Sequence, residues 1–196
     1  MEGRSDLLEQ VAAERGSVES DTLEQVVTLA VELAREGREG RKVGTIFTVG
    51  DVDGVRATSQ PMILDPLAGH GEDVRRLDRP DTRETIKELA LLDGAFVISN
   101  EGVAVSATRY LDADASGLDV PGGLGSRHRA AAAVTRATGA VAVVVSESAI
   151  VRLMDDGTLV AEIIPELWIL SRHSSHIEAP ILTRSDEQVT VLSRME

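Results

Sequence analysis

Cysteine is absent from this 196-residue chain, which excludes disulfides, thiolate-bound zinc, iron–sulfur clusters and thiol catalysis. Aromatics are almost absent too, since Phe47, Phe96, Tyr110 and Trp168 are the whole set. The core must therefore be aliphatic, and aromatic platforms for single-stranded nucleic acid are not expected. Lysine is confined to Lys42 and Lys87. No apolar run nears the ~18 residues of a membrane span, and the N-terminus lacks a signal-peptide pattern. A soluble, cytoplasmic protein is expected.

What the chain has in excess is acid. A net charge of -13 repels nucleic acids and anionic membranes, so neither is an expected partner. Acid-rich, lysine-poor composition resembles that of extreme halophiles, where the Debye length falls to about 3 Å at 1 M salt and surface self-repulsion costs little.

The length fits one domain with short extensions. Ser5 to Arg15 reads as a short, detachable terminal helix stopped by Gly16. Asp21 and Glu24 are spaced as a capping box ahead of Leu23, Val26, Val27, Ala30, Leu33 and Ala34, a helix that Gly37 ends. Val43 to Val49 reads as a strand. Residues 52 to 80, with Pro61, Pro66 and Pro80, read as mostly loop with a short strand near Met62 to Leu64. A second capping box, Asp81 to Glu84, opens a helix through Ala90. Ala95 to Ser99 and Val103 to Thr108 read as strands around a turn at Asn100-Glu101-Gly102. A long loop from Arg109 to Gly125 leads to a helix from Arg127 to about Thr138. Ala140 to Val145 is a buried strand, and Ile150 to Met154 with Thr158 to Ile164 a hairpin. Beyond Pro165 the pattern weakens, with a short helical turn or a strand at Leu167 to Leu170 and a final strand at Gln188 to Leu192. The expected fold is α/β, a single domain whose mixed, largely buried central sheet is flanked by helices. The expected divisions are an N-terminal extension over 1–20, a main domain over 21–165 and a C-terminal extension over 166–196.

Two places break the electrostatic rules of helix ends. With Ser126 as N-cap, Arg127, His128 and Arg129 fall in the first turn, where the macrodipole disfavours cations by about 0.3–1 kcal/mol each. Free backbone N–H groups, a hydroxyl and guanidinium forks suit a polyanion such as phosphate. Residues two apart on a helix diverge by about 200°, so Arg127 and Arg129 do not share one oxygen cluster in a regular first turn. Asp93 makes the opposite break at the expected C-terminal end of a helix, with Gly94 and Ala95 leaving room beside it. It is a candidate metal ligand or base, although Asp-Gly is also ordinary turn chemistry. Ser146 and Glu147 follow a buried strand, where ligand contacts of α/β sheets collect. His173 and His176 lack a third partner for a metal.

Asp93-Gly94-Ala95 together with Gly125-Ser126-Arg127-His128-Arg129-Ala130-Ala131 resembles the paired motifs of the diadenylate cyclase family. Gly44-Thr45-Ile46-Phe47, Gly50-Asp51, Tyr110-Leu111 and Val145-Ser146-Glu147 are similar as well, and the likeness runs from about Thr22 to Ile164. Ser126 stands where the family usually has Thr, and Ser148 where many members have a second Glu. The acidic composition is similar to that of the family's archaeal branch. The resemblance implies condensation of two ATP into cyclic di-AMP with release of two pyrophosphates, across a face-to-face homodimer or within a higher homo-oligomer. It implies catalytic roles for Asp93 and His128, the same two residues as ligands of Mn²⁺ or Mg²⁺, and adenine held through the Leu111 backbone. Gly94, Ala95, Gly125, Ser126, Arg127, His128, Arg129, Ser146 and Glu147 would hold the rest of the nucleotide. The alternative is a catalytically inactive nucleotide-binding regulatory module. The chain lacks the G-x-x-x-x-G-K-[ST] pattern of a P-loop.

Overall fold

The computed structural model describes residues 2–118, 120–173, 181–186 and 189–194. Two compact units divide at Pro165. The first contains helices α1 (Glu2–Arg15), α2 (Ser20–Glu36), α3 (Val52–Ala57), α4 (Pro80–Leu89) and α5 (Ser126–Ala137), with strands β1 (Thr45–Val49), β2 (Ser59–Pro61), β3 (Ala95–Ile98), β4 (Ala104–Leu111), β5 (Val141–Val145), β6 (Val151–Asp155) and β7 (Thr158–Ile163). All seven strands share one sheet in the order β2-β4-β3-β1-β5-β6-β7. Only β1 and β3 pair in parallel, and every other neighbour is antiparallel. This is the mixed α/β architecture expected from the alternation of helical and strand patterns.

Helices cover both faces of the sheet. Ile46, Val97, Ala142 and Val144 pack on Ala131, Ala132 and Val134 of α5. Because strand side chains alternate in direction, Phe47, Phe96 and Val143 turn to the opposite face, against which α2 lies. There Phe47 and Phe96 stack with centroids 5.1 Å apart. Small residues on α5 let that helix approach the sheet closely. Leu23, Val26, Val27, Ala30 and Leu33 of α2 are fully buried, in keeping with their helical spacing.

Several local expectations give way to tertiary contacts. Neither capping box forms: α2 starts after Glu19 and α4 after Arg79, both without a side-chain cap. The backbone N–H of Glu19 instead donates to the Asn100 side chain. Glu84 is drawn off to Lys87 and Arg38. The stretch read as loop after Gly50 contains α3, capped by Asp51, and the short strand beyond it is Ser59–Pro61 rather than Met62 to Leu64. The strand β4 runs three residues past the expected Thr108.

The terminal helix α1 is docked, not detached. Leu8, Val11 and Ala12 are buried. Arg15 pairs with Asp155 and donates to the carbonyls of Thr135 and Thr138, where α5 ends. Ser17 adds a bond to the Gly139 carbonyl at 2.7 Å.

The second unit comprises residues 166–196. Helix α6 (Pro165–His173) leads into it, and β8 (Ile181–Asp186) pairs antiparallel with β9 (Val189–Arg194). The sequence pattern anticipated β9 but not β8. His176 and Gln188 lie outside the described residues. Among the described residues, no helix is long and apolar enough to cross a membrane.

Candidate functional site

A bulge in β4 shapes the site. Ala95 pairs with Arg109 while Val97 pairs with Ser106, so β4 carries one residue more than β3 across this interval. Thr108 sits there with φ +54, a conformation that a β-branched residue holds only when its surroundings impose it. Gly94 meets the bulge directly. Its φ is +106, and a Cβ on it would lie 2.7 Å from the Thr108 carbonyl carbon and 2.8 Å from the Arg109 nitrogen. The glycine of Asp93-Gly94-Ala95 is therefore required by the approach of two backbones. The bulge in turn aims Arg109, Tyr110 and Leu111 at a common cavity, as bulges beside binding sites often do.

That cavity is about 220 Å³, and its lining brings Asp93, Gly94 and Ala95 together with Ser126 and Arg127. Ile46, Met62, Tyr110 and Leu111 give it an apolar side, and Arg109 and Ala130 complete it. Asp93 is exposed in the turn after α4, four residues beyond the helix's last residue, Leu89. It is thus outside the reach of the helix dipole, which fades within the last turn, and the expected charge violation there does not arise. Its Oδ1 accepts from the Gly94 N–H at 3.0 Å. Ser126 is the first residue of α5, not its cap. Gly125 holds the cap position, and no side chain satisfies that end of the helix.

The three basic residues in the first turn of α5 point three ways. Arg127 reaches the cavity and stands between two carboxylates, 3.8 Å from Asp93 and 3.6 Å from Glu147. It lies over Gly44, where a Cβ would meet its Nη1 at 2.7 Å. His128 is buried and faces Arg152, whose Nη1 is 3.3 Å from Nε2. Burial first, then the charges of Arg152 and Arg127, hold its pKa below the ordinary histidine value, with Glu162 opposing. Arg129 is exposed and does not line the cavity. Ser146 does not line it either; its Oγ receives Arg152 at 3.3 Å and lies 3.1 Å from the Ile150 carbonyl.

Pairs between exposed side chains contribute only about 0–1 kcal/mol. The carboxylates beside Arg127 are 72% and 71% exposed, so an incoming anion displaces them at little cost. Among the described residues, no three His, Asp or Glu side chains cluster as a metal cage. An exposed carboxylate beside a helix N-terminus does fit Mg²⁺ or Mn²⁺, which take one or two protein carboxylates and complete their shell with phosphate oxygens and water. The donor set is therefore suitable on Asp93. His128 offers less, since its Nε2 lies 3.3 Å from the Arg152 guanidinium.

Sequence reasoning did not single out Arg109. It is buried, it donates to the Ser59 Oγ and to the carbonyls of Arg56 and Ser59, and among the described residues it has no acidic partner within salt-bridge distance. Nothing in the local pattern marks it, because its place depends on the bulge.

A family model described as DisA bacterial checkpoint controller nucleotide-binding, or DAC, matches residues 32–159. The chain is 47% identical over 150 residues to a protein of Methanocaldococcus jannaschii named diadenylate cyclase, covering 76% of this chain and 47% of that one. It is 42% identical over 147 residues to a diadenylate cyclase of Haloferax volcanii, covering 74% and 54% respectively. It thus spans about half the length of these relatives. Among solved structures, a hypothetical membrane spanning protein from Bacillus cereus shares the fold, with a TM-score of 0.53 at 23% identity over 72% of this chain and 62% of that one.

Proposed function

This chain belongs to the DAC nucleotide-binding family, and from that membership we propose that it is a diadenylate cyclase, joining two ATP into cyclic di-AMP with release of two pyrophosphates. The observation that carries the reading is the shared cavity, with Asp93 on one lip, Ser126 and Arg127 on the other, and an apolar wall between Ile46 and Leu111. Triphosphate lies at the N-terminal turn of α5, where unsatisfied N–H groups and Arg127 receive it. Ser126 and Gly125 line that turn, and Glu147 stands beside it. Adenine lies on the apolar side, with the Leu111 backbone as its polar contact and Gly94 and Ala95 as the floor.

Each 3′-oxygen attacks the α-phosphorus of the other ATP. The new O3′–P bond forms as the bond to the bridging α–β oxygen breaks, and pyrophosphate leaves with that oxygen while the hydroxyl proton passes to a base or to water. Such in-line transfer needs positioning and charge neutralisation more than covalent help. Asp93 orients the attacking hydroxyl and provides the protein ligand for Mn²⁺ or Mg²⁺. When bound, such an ion neutralises phosphate charge and lowers the pKa of the hydroxyl. His128 supports the helix turn from within.

A cavity of about 220 Å³ is smaller than the roughly 300–1,000 Å³ that usually encloses a whole small ligand. One chain therefore covers part of a nucleotide, and a second copy facing it across a two-fold axis supplies the rest along with the second ATP. The test is incubation of the purified protein with ATP and Mn²⁺ at low and multimolar salt, followed by mass spectrometry. Cyclic di-AMP is the expected product. Its absence in both conditions, with ATP still bound, would leave a nucleotide-binding module without activity. Full turnover by a strictly monomeric protein would overturn the two-chain arrangement.

A further inference from the structure

We infer that Arg152 is a positioning residue that holds His128 as a neutral imidazole with its hydrogen on Nδ1. A guanidinium carries donors only and stays charged at any pH the fold survives. Its approach to His128 Nε2 at 3.3 Å is a hydrogen bond only if Nε2 presents its lone pair. The neutral ring then carries its hydrogen on Nδ1. A protonated ring would set N–H against N–H and cation against cation.

Arg152 is itself fixed. Its Nε donates to Glu162 Oε1 at 2.6 Å, across the β6–β7 pair that places the two residues opposite each other. Its Nη1 also reaches Ser146 Oγ at 3.3 Å. Arg152 is 8% exposed and His128 5%, so the contact is shielded from water. The charges facing the imidazole are Arg152 and Glu162 from the β6–β7 hairpin and Arg127 from its own helix. Two cations outweigh one half-exposed carboxylate, and burial acts in the same direction. Nδ1 is buried and, among the described residues, has no hydrogen-bond partner. Its hydrogen goes unmet at the cost of that group's desolvation, and the ring is oriented from Nε2 alone.

The function of this contact is to tie the first turn of α5 to the sheet. Arg127, one residue before His128, is then presented to the cavity from a helix end that cannot roll. Only two of the three basic residues carry charge at neutral pH. Arg152 does not touch the cavity and acts through His128. Its effect on ATP rests on the proposed function, but the tautomer does not.

Imidazole ¹⁵N shifts of the wild-type protein, with H128Q identifying the resonances, test the inference directly. The expected spectrum at neutral pH has Nδ1 protonated and Nε2 bare. Arg152→Met should release the ring to a mixture of tautomers. It should also raise KM for ATP about tenfold while kcat stays within about threefold, because uniform binding is lost. Arg152→Lys should keep part of the effect, and it serves with the wild-type spectrum if the methionine variant does not fold. A wild-type ring that carries its hydrogen on Nε2 overturns the inference whether or not product forms. A shifted tautomer with unchanged KM overturns the positioning role. The expected tautomer in a protein that makes no cyclic di-AMP leaves the Arg152 contact standing and removes the cyclase reading instead.

Discussion

Arg127 Nη2 stands 3.8 Å from Asp93 Oδ1, so the cation at one end of the motif pair is a counterion for the carboxylate at the other. Under the proposed function, a triphosphate at α5 would draw Arg127 away and leave Asp93 free for a metal ion, which would couple nucleotide arrival to the availability of the carboxylate.

Asp93→Asn should therefore separate binding from chemistry. We expect cyclic di-AMP formation to fall by about a thousandfold or more, on the order of 4 kcal/mol of transition-state stabilisation. ATP binding by calorimetry should change by only a few fold. Normal turnover in this variant would remove Asp93 from the metal and the attacking hydroxyl.

Gly44→Ala should cost activity without costing stability. Its Cβ would press on the Nη1 and Cζ atoms of Arg127 at 2.7 and 2.9 Å, the mobile end of a side chain that simply moves aside. The melting temperature should stay level or rise slightly, since alanine restricts the unfolded chain. KM for ATP should rise several fold. A melting temperature lowered by many degrees would mean that Gly44 serves the fold instead.

Gly94→Ala should do the reverse in kind. Here the added Cβ meets the backbone of Thr108 and Arg109 at a φ of +106, and neither can yield without disturbing the sheet. A destabilisation of about 3 kcal/mol is expected in denaturant titrations.

Lys87 forms the centre of an ion-pair network between α2 and α4, with Glu84 at 2.6 Å and Glu32 at 3.1 Å. Burial opposes its charge, but the bonds from Glu84 and Glu32 outweigh burial and leave its pKa above the ordinary lysine value. A raised pKa contributes stability that is complete below about pH 10.4 and is lost as pH rises through the folded value. The melting temperature should thus fall above about pH 10.5. Lys87→Met should lower it at neutral pH, by leaving Glu84, Glu32 and, at 3.8 Å, Glu36 without their shared cation, and should lose that alkaline dependence.

Much of this was legible in the sequence because it is carried by periodicity. The apolar spacing of α2, the Val141–Val145 run and the β6–β7 hairpin are read directly from residue order. The site motifs were legible as breaks of local rules, and the break at Arg127 to Arg129 survives in the structure. The one at Asp93 does not, because α4 stops at Leu89, within one residue of the expected Ala90, and the aspartate lies in the turn beyond it. Capping boxes failed for a related reason: Glu84 obeys the spacing, but a buried lysine one turn away is a stronger partner than a backbone N–H. Arg109 and Arg152 were illegible, since each matters through contacts set by strand register, Arg109 by the bulge at Thr108 and Arg152 by its opposition to Glu162.

The Arg15 contacts have a mechanical meaning. Helix α5 offers its first turn to the cavity and surrenders its last carbonyls, those of Thr135 and Thr138, to a guanidinium from α1. A rod gripped at its far end can move only by bending or by slipping its grip. The grip belongs to a segment outside residues 32–159, the part shared with the family. Whatever loosens α1 therefore reaches the first turn of α5, at the edge of the cavity, through about twelve residues of helix.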